Sequence, residues 1–178
     1  MGTTKKPKPV KLIASVFSAD AAQIERALAA MAAQFGRVDF ASRLIPFDHT
    51  DYYASEFGAG LMRRIAAFER LVDPGDLPDI KLATNAIEAE MGAGGARTVN
   101  IDPGYVGEGK MILATTKDHR HRVYLGKGIY GEVTLYYHGG TFHPWDWTYA
   151  DYATPRFCEI FTQIRARYRE QLKTSVFR

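Results

Sequence analysis

Apolar positions first recur with the short period of a strand. Val10–Phe17 is a β-rich run. Ile24, Leu28, Met31 and Phe35 then fall on one face of a helix, which Ser18 can cap and Gly36 can end. Arg37–Pro46 reads as a second strand. Leu61, Ile65, Phe68 and Val72 keep helical spacing, yet the same segment 61–72 can be read as a strand. Asp73-Pro74-Gly75-Asp76 is a turn. Asp76 caps a helix that carries Ile80, Ala83, Ile87 and Met91 on one side and ends at Gly92–Gly95. The texture then turns to β, with strands expected at Arg97–Ile101, Lys110–Thr115, His121–Leu125 and Glu132–Tyr137, and a turn at His138–Thr141. Thr154 and Pro155 open a last helix with Phe157, Phe161, Ile164 and Tyr168 on its buried face. The expectation is an α+β fold with a mostly antiparallel mixed sheet and three helices. Its first six elements follow the order of a ferredoxin-like βαββαβ core.

Composition narrows the class. The 178 residues, 46% hydrophobic and 24% charged, suit one domain over residues 9–178, behind a disordered basic tail at 1–8. The formal charge of +3, from 23 Lys+Arg and 20 Asp+Glu, is accounted for by Lys5, Lys6 and Lys8. The body is therefore neutral, which argues against nucleic acid as partner. It is polarised: acids outnumber bases eight to four in 38–80, while bases prevail in 117–127 and along the last helix. No apolar run is long enough to span a membrane. Cys158, alone, forms no intramolecular disulfide and suits a reducing compartment, so a cytoplasmic location is expected.

Two glycine patterns resemble phosphate loops. Gly104 to Lys110 fits G-x-x-x-x-G-K, but Met111 stands where Ser or Thr should hold magnesium, and a strand follows where a helix should. Gly126-Lys127-Gly128-Ile129-Tyr130-Gly131-Glu132-Val133 fits a kinase-type glycine loop, without any other kinase segment. It reads as a hairpin, either a plain one or one that brings Lys127 to an anion.

Several stretches resemble one bacterial family. They are Asp51-Tyr52-Tyr53 with Glu56-Phe57-Gly58, Phe68–Leu71, Ile80–Asn85 with Glu88, and Val99–Tyr105. Leu113–Leu125, Gly128–Tyr130, Glu132–Leu135 and Trp147–Tyr152 complete the set. Together they resemble the domain-of-unknown-function family numbered 4416. The likeness favours a strand at 61–72. Members sometimes carry the label GTP-binding protein, so the resemblance implies a nucleotide ligand.

Candidate chemistry gathers at expected strand ends. Lys117–Arg122 is rich in cations, and Arg122 offers a fork to phosphate or carboxylate. Asn100 and Asp102 share a strand face and can orient a ligand, although Asp102 before Pro103-Gly104 also suits an Asx turn. Glu132 within a strand needs either a partner or an exposed edge. Asp48, His49, Asp51, Glu56, Asp102 and Glu132 could supply an oxygen-rich site, with one imidazole nitrogen from His49, for a divalent cation such as magnesium. The expectation is a pocket for an anionic small molecule or nucleotide. Asn100, Lys117, Arg122, Gly126, Lys127, Gly128, Trp147, Tyr149 and Asp151 would line it, and Asp51, Asp102 and Glu132 would do any acid–base work. The alternative is an assembly module, open to homo-oligomers, that uses the basic last helix and the Trp/Tyr segment.

Overall fold

The computed structural model describes residues 1–47, 54–92 and 96–176. The expectations at Asp48, His49 and Asp51, and the helix end beyond Gly92, lie outside the described residues.

The chain opens with β1 (Val10–Ser18) and α1 (Ala21–Phe35). Asp20, not Ser18, caps α1: its carboxylate accepts the Ala22 N–H, while Ser18 continues β1. The expected second strand is two short ones, β2 (Val38–Ala41) and β3 (Ile45–Pro46), because the connection between them leaves the ladder. A single turn, α2 (Ala54–Phe57), precedes β4 (Met62–Val72), so the ambiguous segment is a strand. A 3-10 turn at Pro74–Asp76 is capped by Asp73, and α3 (Leu77–Met91) follows without a side-chain cap from Asp76. Then come β5 (Asn100–Val106), β6 (Lys110–Thr115), β7 (Arg122–Gly126), β8 (Ile129–His138), β9 (Thr141–Pro144) and α4 (Pro155–Val176).

All nine strands join one sheet, ordered β2-β4-β1-β5-β6-β8-β7, with β3 beside β4 and β9 beside β8. All eight strand pairings among the described residues are antiparallel, in line with the mostly antiparallel sheet expected. The fold is α+β. Strand β1 is buried along its whole length because both faces of the sheet are covered. Leu12, Ala14 and Val16 pack under α1 and α3, while Ile13 packs with Phe157, Phe161 and Ile164 of α4. Helix α4 also covers Lys11, a fully buried lysine that pairs with Asp39 and donates to Gln171 at 2.8 Å. Burial lowers the Lys11 pKa.

The sheet forks between β5 and β6. Their register runs only from Val106↔Met111 to Gly104↔Leu113. Pro103 explains where it stops. Proline has no N–H, so its pair with Ala14 on β1 cannot be a hydrogen-bonded one. Ile101, Pro103 and Tyr105 therefore direct their backbone groups away from β1, toward β6. At Pro103 that edge has no donor to offer Ala114, and the strands part. Of the two readings of Asp102, strand face or Asx turn, it is the strand that forms, and β5 begins later than Arg97.

Candidate functional site

The fork leaves the Ile101 backbone without a strand partner on one side. Helix α3 supplies one. Lys81 Nζ donates to the Ile101 carbonyl at 2.8 Å, and the Ile101 N–H donates to the Glu88 carboxylate. Lys81 and Glu88 lie two turns apart on one face of α3, so together they replace the missing ladder. This is why α3 buries Lys81, Thr84 and Glu88 among its apolar residues. Burial raises the Glu88 pKa, against the pull of Lys81, the Ile101 N–H and Arg97.

A cleft of about 850 Å³ opens in this fork. Its walls come from α3 (Lys81, Asn85, Glu88), β5 (Asn100, Asp102), the end of β6 and the loop after it (Leu113–Lys117, His119), and the 149–152 segment. Arg122 of β7, Glu132 of β8, Arg63 of β4 and Arg97 also reach it, as do Phe47 and Glu56. Five basic and five acidic side chains line it, so charge is balanced there.

The acids hold the cations in place. Arg97 forks onto Glu56 at 2.6 and 2.8 Å and also donates to Glu88 (3.1 Å) and to Asn100 Oδ1 (3.0 Å). The Arg97 bond holds Glu56 below the usual carboxylate range. Asn100 Nδ2 in turn donates to Asp102 at 2.8 Å, and Lys81 Nζ stands 3.6 Å from the other Asp102 oxygen. Glu132, opposite Arg122 in the β7–β8 register, is buried. It accepts from Arg122 Nε at 2.9 Å, has His121 Nε2 at 3.1 Å, and accepts from Thr134 at 3.3 Å. Arg122 spends its other nitrogens on the Lys117 carbonyl (3.0 Å) and the Tyr149 hydroxyl (3.1 Å). Its guanidinium thus ties β8, the loop after β6 and the 149–152 segment together. Deeper in the cleft, Asp151 pairs with Arg63, whose guanidinium lies 3.9 Å from the Phe47 ring centroid.

Of the residues expected at the site, Asn100, Asp102, Lys117, Arg122, Glu132, Tyr149 and Asp151 line this one cleft. Gly126, Lys127 and Gly128 do not. They form a tight hairpin turn with positive φ at all three, and Lys127 pairs with Asp79 of α3. The segment Gly104–Lys110 is likewise an antiparallel hairpin, not a strand–loop–helix. Trp147 lies outside the lining, its Nε1 donating to the Val133 carbonyl at 3.1 Å. Among the described residues, no three His, Cys, Asp or Glu side chains come together in a way that could hold a metal ion. Sequence reasoning missed Arg63, Lys81, Asn85, Glu88 and Arg97 as site residues. The legible signal was Lys81, Thr84 and Glu88 at i, i+3 and i+7, a polar stripe beside the apolar one.

Glu88 carries a pH prediction. Its folded pKa lies above its unfolded one, so its stabilising share is full below the unfolded pKa and is lost as pH rises through the folded value. Glu88→Gln removes that titration. The stability difference, wild type minus variant, should therefore fall as pH rises from the ordinary glutamate range upward. Paired urea melts across pH test this, and a constant or rising difference contradicts it.

Fold and cleft together define an α+β domain whose antiparallel sheet forks around a charge-balanced polar cleft. The model of the family described as a domain of unknown function, DUF4416, matches residues 8–168, and the chain belongs to that family. None of the curated proteins matches the chain, and none of the solved structures does. Among the described residues, no helix is long and apolar enough to cross a membrane.

Proposed function

We propose that the fork cleft binds an anionic small molecule, a nucleotide such as GTP. One observation carries the reading. Lys81, Arg97, Lys117 and Arg122 line a single cleft together with the amides of Asn85 and Asn100 and the hydroxyls of Thr115 and Thr116. A volume of about 850 Å³ is within the range of small-molecule sites. The carboxylates support this reading, because they pre-orient the guanidinium forks and so lower the ordering cost of binding. In a catalytic version, Glu132 is a positioning residue, since both of its oxygens are engaged. Asp102, 34% exposed beside Lys81, is then the candidate for acid–base work. Calorimetric titration of the full chain with GTP tests the proposal. Binding that Arg122→Ala weakens about tenfold or more is expected, because the substitution removes a cation from the cleft and unties its Lys117 and Tyr149 walls from Glu132. Absence of binding, or an unchanged affinity in Arg122→Ala, contradicts it.

One observation favours the assembly reading, and it lies at the sheet edge. Arg165 and Arg167 of α4 lie over the Tyr137 and Phe40 rings of the same chain. Strand β7, in contrast, is at the sheet edge with Val123 and Tyr124 68% and 59% exposed. An apolar edge of this kind pairs readily with a second copy, antiparallel about a twofold axis. Light scattering should then find a dimer that Val123→Lys returns to monomer. A wild-type monomer at every concentration overturns this reading.

A further inference from the structure

A run of aromatic rings leads to the rim of the cleft. Trp145 and Trp147 stack with centroids 5.1 Å apart and planes at 8°. Trp147 stacks on His121 (5.8 Å, 15°), and His121 on His119 (5.8 Å, 22°). At the far end Trp145 packs on Tyr136 at 4.5 Å. Two of these rings are fixed by polar anchors: Trp147 by the Val133 carbonyl and His121 by buried Glu132. Of the five, only His119 lines the cleft. It is exposed, and among the described residues His121 is the ring that stacks on it. Among the described residues no second ring packs on it.

We propose that the ligand carries a planar heteroaromatic ring that stacks on His119 while its anionic part lies against Lys81, Arg97 and Arg122. This rests on the anion-site reading and deepens it, because it names the residue that receives the ligand's ring. The reasons are physical. A ring placed on His119 covers a face that is otherwise wetted, and it continues a stack already held rigid, so little side-chain freedom is lost on binding. Stacking of a base on a side-chain ring tolerates any base identity, and its loss lowers affinity about tenfold to a hundredfold. Asn85, Thr115 and Thr116 in the same cleft offer hydrogen bonds to the ring's edge.

The test compares GTP with inorganic tripolyphosphate, which has the charge without the ring. Both are titrated into the full-length wild type, His119→Ala and His119→Phe, while tryptophan emission is followed. Wild type should bind GTP about ten to a hundred times more tightly than tripolyphosphate. His119→Ala should remove that advantage and leave tripolyphosphate affinity unchanged, and His119→Phe should restore it. GTP alone should alter the emission of the Trp145–Trp147 stack. Equal affinities of wild type for both probes overturn the inference and leave the anion site standing, as does an equal loss for both in His119→Ala. If neither probe binds, the anion site fails and this inference with it.

Discussion

Asp151→Ala should cost the fold about 3–5 kcal/mol, the usual loss when one partner of a buried ion pair is removed. The side chains of Arg63 and Asp151 are 5% and 6% exposed, so neither charge has water to fall back on. Without Asp151, the Arg63 guanidinium would remain among the rings of Phe47, Phe17, Tyr152 and Phe157, with centroids 3.9 to 5.8 Å away. Their π faces attract a cation by only about 0.5–2 kcal/mol, which offsets part of the loss. Asp151 also accepts the Tyr152 N–H at 2.8 Å, so the variant frees that donor as well. The joint variant Arg63→Met/Asp151→Leu removes both charges and should recover most of the stability. Urea denaturation of the three proteins checks this. A loss below about 1 kcal/mol in Asp151→Ala would mean that the pair does not stay dry.

Gly104→Ala should destabilise by about 3 kcal/mol or more, at the upper end of overpacking effects. A Cβ there would stand 2.1 Å from the Ile112 carbonyl oxygen and 2.9 Å from Leu113 Cδ2. The first clash is with backbone, so relief requires β5 and β6 to move apart at the last pair before the fork. Gly107→Ala, in the same hairpin, is the control: its nearest neighbour would be the Lys110 carbonyl oxygen at 3.7 Å. That substitution should change stability little. Thermal or urea melts that rank the two variants equally would contradict the close approach of β5 and β6 as the reason for Gly104.

The helices and most strands could be read along the chain because their signals are local. The spacing of Ile24, Leu28 and Met31 specifies α1, and Pro155 marks the start of α4. The ambiguity of 61–72 came from the same physics. A strand covered on both faces, like β4, loses its alternation and can imitate a helix. The cleft was legible in half. Asn100, Asp102, Arg122 and Glu132 were visible as polar groups at strand ends. Lys81, Glu88 and Arg97 were not, because their role depends on a strand edge that β6 abandons. Pro103 was the available clue, yet beside Gly104 it reads as a turn. Only the pairing with β1 shows that it ends a ladder instead.

Amide shift mapping of the isotope-labelled chain shows whether the fork is the ligand site. On titration with GTP, shifts should cluster at Ile101, Ala114–Lys117 and Tyr149–Tyr152, whose residues border the cleft. Shifts confined to the Gly126–Gly128 turn, or none at all, would contradict it.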